Sequence, residues 1–211
     1  KRTKDRPLAT GKITAKEALM VFAVLALVAF ILVLQLNLAT ILLSSVALLL
    51  AASYPFMKRY HSLPQVHLGA AFAWAVPMAF TAITGETPPL IAWLIYSATM
   101  LWTTAYDTMY GMVDRDDDLK LGMKSSAILF ADKDKLIVGL LQALTIILLI
   151  TIGYLASRGW LYYLGIAGAT GLFIYQQQLI KDRQPPACFK AFLNNHWLGM
   201  VVFIGLALDY I

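Results

Sequence analysis

Residues 18–57 read ALMVFAVLALVAFILVLQLNLATILLSSVALLLAASYPFM, a run without one charged side chain. A helix needs about 20 apolar residues to cross a hydrocarbon core of roughly 30 Å, so the run is long enough for two crossings. Gln35-Leu36-Asn37 interrupts it near the middle, which predicts two helices, roughly 16–35 and 38–57. Working outward, charge-free runs recur over 60–85, 87–106, 136–157, 159–180 and 191–208. The spacing therefore predicts seven spans, centred near 26, 48, 74, 98, 147, 169 and 200, in a single all-α domain, a polytopic transmembrane bundle over 1–211.

Composition agrees with this reading. Hydrophobic residues make up 60% of the chain and charged ones only 14%, against about 25% in soluble domains, and mean hydropathy is +0.70. These values exclude a soluble enzyme and a disordered chain, and a single cysteine, Cys188, excludes a disulfide scaffold. Loop charges then orient the bundle. Of the 17 Lys and Arg residues, 16 fall on the side of the amino end, from Lys1, Arg2, Lys4 and Arg6 through Lys58, Arg59 and Arg115 to Lys190; only Arg158 is opposite. By the positive-inside rule the amino end is cytoplasmic and, with seven spans, the carboxyl end periplasmic. Trp93, Tyr96, Trp160, Tyr162 and Tyr163 fit interfacial anchors, and Pro77 predicts a kink within the third span.

Acids are not needed for topology, yet Asp107, Asp114, Asp116, Asp117 and Asp118 crowd the end of the fourth span. At about 100° per residue, Asp107, Tyr110, Asp114 and Asp118 fall within an arc of roughly 80° if the helix continues, with Asp116 nearly opposite. Carboxylates so grouped repel one another unless a divalent cation lies between them. Mg²⁺ suits such a site, because it is usually held by one or two carboxylates plus substrate phosphates. The alternative is a solvated acidic loop partnered by Arg115, Lys120 and Lys124. On the same side, Tyr54 and Lys58 share a helix face, and Lys58-Arg59 presents cations suited to phosphate, although such a pair is also an ordinary topology signal. Carboxylates for a metal, cations for phosphate and a Leu-, Phe- and Met-rich interior together suit a polyprenyl diphosphate.

These residues resemble a family pattern. Asp107 to Asp118 is similar to the second aspartate-rich motif, D-x-x-Y-x-x-x-D-x-x-x-D, of the UbiA superfamily of intramembrane prenyltransferases, and residues 121–130 continue the match. Tyr54 and Lys58 resemble its Y-x-x-x-K motif, and residues 1–11 its basic loop. Stretches 54–65, 106–130, 175–177 and 188–192 are similar to the bacterial branch that prenylates 4-hydroxybenzoate in ubiquinone synthesis. The resemblance implies a nine-helix bundle in the inner membrane. There a polyprenyl group passes from its diphosphate to the ring carbon ortho to the 4-hydroxybenzoate hydroxyl, with Mg²⁺ as cofactor and diphosphate released. It implies that Asp107, Asp114 and Asp118 hold the metal and that Tyr110 orients a carboxylate or the diphosphate. Tyr54, Lys58, Lys124, Arg2 and Arg6 become substrate-binding candidates, and Arg59 a candidate for placing diphosphate or the acceptor carboxylate.

The family's first acidic motif, N-D-x-x-D-x-x-x-D, does not occur in these residues. The chain also opens on a polar segment, Lys1-Arg2-Thr3-Lys4, like the interior of a loop. Both observations lead to the expectation that two leading helices precede Lys1 in a longer protein, and that the 211 residues alone are inactive. Other acceptors, a naphthoate, homogentisate or haem, remain open. A cation transporter would require acids near mid-membrane on more than one helix, whereas Glu86 and Asp209 lie at the opposite interface. His61, His67, His196, Gln176 to Gln178, Asn194 and Asn195 are read as packing or helix-contact residues and Cys188 as a reduced thiol; no nucleic-acid or obligatory protein partner is expected.

Overall fold

The computed structural model describes residues 4–211, so Lys1, Arg2 and Thr3 lie outside the described residues. Every regular element among the described residues is helical, and the polar interruption separates the first two of them, as its composition implies. Helix α1 (Ala15–Val33) is opened by Thr14 in a capping box: Thr14 Oγ1 accepts from the Glu17 N–H at 3.2 Å, and Glu17 Oε2 from the Thr14 N–H at 2.7 Å. Helix α2 (Leu38–Ser53) begins at Asn37, whose Oδ1 accepts from the Thr40 N–H at 3.0 Å. The same side chain donates to the Thr81 carbonyl at 2.7 Å, so one residue both starts α2 and ties it to a later helix.

Pro55 then tightens the chain into a 3-10 turn, Tyr54–Phe56, which runs into the short α3 (Met57–Tyr60). The third span forms as two helices, α4 (Pro64–Ala73) and α5 (Ala75–Thr84). The break falls at Trp74 rather than at Pro77, because a proline ring removes the bond to, and crowds, the carbonyl four residues earlier, here that of Ala73. Trp74 uses its indole N–H to reach the Leu43 carbonyl on α2 at 2.9 Å.

Helix α6 (Leu90–Lys120) is continuous for 31 residues, about 46 Å, and so extends beyond a hydrocarbon core. It is the central strut, packing on α4, α5, α7 (Ser126–Phe130), α8 (Asp134–Leu155) and α10 (Pro185–Leu208). Helix α9 (Trp160–Ile180) follows α8 in the chain. Helix α1 contains no buried residue and leans mainly on α2, leaving an apolar surface suited to lipid. Five stretches, 15–33, 38–60, 64–84, 126–155 and 185–208, are long and apolar enough to cross a membrane. The expected spans near 98 and 169 form α6 and α9, long helices diluted by Tyr, Trp, Thr and Gln.

Small residues and polar contacts hold the bundle where lipid supplies no hydrophobic drive between helices. Gly165 on α9 faces Gly205 on α10; a Cβ at 165 would lie 2.8 Å from the Val201 carbonyl oxygen and 3.1 Å from the Gly205 Cα. Gln142, Gln176 and Asn194 join α8, α9 and α10 through bonds of 2.9 and 3.0 Å. Gly165→Ala is expected to lower stability by about 1–3 kcal/mol, since backbone must move to admit the methyl. Gly171→Ala, on the same helix with nothing within 4 Å of its Cβ, is expected to be neutral or stabilising. Thermal unfolding of the two variants in detergent checks the pair.

Candidate active site

The continuity of α6 satisfies the condition on which the shared acidic face depends. Asp107, Tyr110, Gly111 and Asp114 project from α6 into one cavity of about 650 Å³. The 3-10 turn after α2 swings Tyr54 and Lys58 into its wall, and Arg6 enters from the amino-terminal segment. Gln65 from α4 and Phe189 and Phe192 from α10 complete the lining. Groups separated by more than 180 positions in sequence thus meet around the carboxyl-terminal half of α6.

Local geometry explains the placement. Gly111 has no side chain, and a Cβ there would lie 3.3 Å from Gln65 Nε2, so glycine admits Gln65 to the wall. Gln65 is 1% exposed, and its Oε1 accepts from the Ser126 N–H at 3.0 Å. Ser126 also bonds Thr108 on α6, hydroxyl to hydroxyl, at 2.7 Å. The turn after α6 is pinned to α3 as well, with the Lys124 N–H donating to the Lys58 carbonyl at 2.9 Å. These bonds fix the loop bearing Lys58 against the helix bearing the acids.

Of the sequence-predicted residues, Arg6, Tyr54, Lys58, Asp107, Tyr110 and Asp114 are brought together. Asp118 is not a lining residue. It is 7% exposed and its carboxylate accepts from Lys58 Nζ at 2.9 Å, so the third acid of the shared face serves as an ion-pair partner for the cavity's lysine. Lys124 is exposed outside the cavity and donates through Nζ to the Tyr60 carbonyl at 3.1 Å. Arg59 is exposed and lines no part of it. Arg2 lies outside the described residues. Gln65, Phe189 and Phe192 were missed by sequence reasoning. Stretches 54–65 and 188–192 carried the resemblance, but an amide and two rings show no charge pattern that would mark them as site residues.

Among the described residues, no group of three or more His, Cys, Asp or Glu side chains stands ready to enclose a metal by itself. Two carboxylates sharing a cavity with a lysine and an arginine are a different donor set, one that fits a hard cation completed by water and phosphate oxygens. Asp107 and Asp114 are the residues that would hold it.

The arrangement, an intramembrane helical bundle whose acidic and basic groups share one cavity, has clear relatives. The chain belongs to the UbiA prenyltransferase family, whose profile matches residues 1–200. It is 57% identical over 211 residues to a 4-hydroxybenzoate octaprenyltransferase of Aeromonas salmonicida, covering all of this chain and 73% of the relative. It is 58% identical over 211 residues to the protein of that description in Cronobacter sakazakii, covering 72% of it. The apo structure of a UbiA homolog from Aeropyrum pernix superimposes with a TM-score of 0.87 at 26% identity, over all of this chain and 78% of that one. A digeranylgeranylglyceryl phosphate synthase structure shares the fold, with a TM-score of 0.73 at 21% identity over 99% of this chain and 74% of that one.

Proposed function

We propose that the protein transfers a polyprenyl group from polyprenyl diphosphate to the ring carbon ortho to the hydroxyl of 4-hydroxybenzoate, releasing diphosphate, in ubiquinone synthesis. The observation that carries this reading is the meeting of Asp107, Asp114, Lys58 and Arg6 in one cavity beside an aromatic wall. The curated relatives named for that activity, at 57–58% identity across the chain, support the acceptor.

The cavity residues divide the work. Lys58 and Arg6 bind diphosphate oxygens, and Asp118, paired with Lys58 at 2.9 Å, keeps that ammonium at the mouth before substrate arrives. Asp107 and Asp114 would hold the divalent cation, which we assign as Mg²⁺ and which would supply positive charge to offset that on the departing diphosphate. Tyr110 and Tyr54 place phenols beside the carboxylates to orient the head group. The C–O bond of the allylic diphosphate breaks with its electron pair leaving on oxygen. The acceptor ring carbon supplies the electrons of the new C–C bond, and the displaced ring proton leaves with diphosphate. The bundle excludes water, so that the allylic carbon meets the acceptor before it is hydrolysed.

We place the protein in the bacterial inner membrane with seven of its crossings in this chain, the cavity mouth cytoplasmic and residue 211 periplasmic, on the strength of the 16 cations on one side. The relatives are longer than the chain, which spans 73% of one and 72% of another. One acidic half-site is present in these residues, and the resemblance implies two. We therefore expect the 211 residues expressed alone to make no product, and the full-length protein to make it. The test offers membranes containing the full-length protein polyprenyl diphosphate, Mg²⁺ and, in parallel, 4-hydroxybenzoate, a dihydroxynaphthoate and homogentisate. Mass spectrometry should find prenylated 4-hydroxybenzoate in excess; prenylation confined to another acceptor overturns the assignment.

A further inference from the structure

We propose that Phe192, braced by Phe189, is a catalytic residue of this reaction: its ring stabilises the positive charge that develops on the allylic carbon as diphosphate leaves. The proposal rests on the prenyl-transfer reading above and adds a residue on α10 to a site otherwise assigned to α6 and the loop after α2.

The cavity wall has two chemical halves. Arg6, Lys58, Asp107 and Asp114 form the ionic half, and Phe189 and Phe192 form the apolar half contributed by α10. The allylic carbon is one bond from a diphosphate oxygen, so a head group held by the ionic half places that carbon at the boundary between them. Tyr110 marks the boundary. It lies on α6 between the two acids, and its ring centroid is 5.0 Å from that of Phe192. Phe192 therefore stands one ring away from the carboxylates that would hold the head group.

The ring is also fixed in place. Phe189 and Phe192, three apart on one helical face, both line the cavity, while Cys188 and Ala191 beside them are fully buried and anchor that turn of α10. Phe189 stacks with Phe192 at 6.0 Å and 19°, while Tyr106 and Tyr110 meet Phe192 edge-on at 60° and 64°. An aliphatic wall would bury a prenyl tail equally well. Aromatic rings add a negative π face that attracts a cation, strongly where water is excluded. A preorganised ring incurs no reorganisation when the charge appears. In the step itself the C–O bond breaks toward oxygen, the acceptor ring forms the C–C bond, and its proton leaves with diphosphate. Phe192 exchanges no atom or electron.

Fluorination withdraws density from the π face without changing the ring's shape, so it separates this role from packing. Full-length protein carrying mono-, di- and trifluorophenylalanine at position 192 should show a stepwise fall in the single-turnover rate of prenyl transfer, about tenfold across the series. KM for both substrates should stay unchanged. Phe192→Leu should shift product from prenylated acceptor toward prenyl alcohol. A flat rate across the series in an active protein overturns the proposal, as does an effect confined to KM for the acceptor, which would make the ring an acceptor platform. A wild-type protein that prenylates nothing overturns the functional reading together with this one.

Discussion

Asp114→Ala in the full-length protein should lower diphosphate release and prenylated product together by about a thousandfold, with the protein still folded in the membrane. Asp114 lines the cavity from α6 and is, with Asp107, one of the two carboxylates proposed to hold a divalent cation there. On the proposed assignment, removing it would leave this half-site with Asp107 as its single metal-binding carboxylate, and the departing charge would lose part of its counterweight. Asp114→Asn keeps volume and hydrogen bonding but not charge, and should be nearly as impaired. Asp116→Ala is the internal control, since Asp116 is exposed on another face of the same helix and should retain wild-type turnover. Measuring diphosphate and product in one assay distinguishes lost chemistry from lost coupling. A transporter would show no covalent product in either variant.

The second large effect is on stability. Asp134 at the start of α8 is fully buried and receives two arginines from different elements. Arg183 donates through Nε at 2.9 Å and Nη2 at 2.7 Å to Oδ1, and Arg115 on α6 approaches Oδ2 through Nη1 at 3.3 Å. The clasp joins α6, α8 and the turn before α10. Asp134→Ala leaves two cations without their shared partner. Breaking a buried pair costs up to 3–5 kcal/mol, but these arginine side chains are 25% and 31% exposed and water replaces part of the loss, so about 2–3 kcal/mol is expected. At this chain length that corresponds to a fall in Tm of about 5–10 °C in detergent. Asp132→Ala, which removes an exposed carboxylate and keeps the carbonyl that Arg183 also binds, should shift Tm by less than about 2 °C.

The sequence was most legible where a local rule governs the outcome. The second helix starts at Leu38 because Asn37 is a helix cap, and Asp107, Tyr110 and Asp114 share a wall because helix periodicity determines direction. Legibility ended where a tertiary partner intervenes. Asp118 lies within about 40° of Asp114 in helical phase, yet Lys58, sixty positions away, binds its carboxylate. Pro77 predicts a kink, and its effect falls on the carbonyl of Ala73, so the helix parts at Trp74. Arg115 and Arg183 read as orienting charges or partners of an acidic loop, and only the fold reveals that both converge on Asp134. Phe189 and Phe192 were invisible as site residues because, in a chain that is 60% hydrophobic, two more rings carry no contrast. What identifies them is the cavity they share with Asp107 and Asp114.

Asp107, Asp114, Lys58 and Arg6 meet in one cavity, which we propose is the diphosphate-leaving site for C-prenylation of 4-hydroxybenzoate. The most direct test is the stoichiometry of a single reaction: purified full-length protein, polyprenyl diphosphate, 4-hydroxybenzoate and Mg²⁺, with diphosphate counted and the product's new bond located by NMR. One diphosphate should appear per prenylated acceptor, with the new bond at the ring carbon ortho to the hydroxyl, and chelation of the metal should abolish both. Diphosphate release that proceeds without acceptor and yields only prenyl alcohol, or product formation indifferent to chelator, would contradict the proposal.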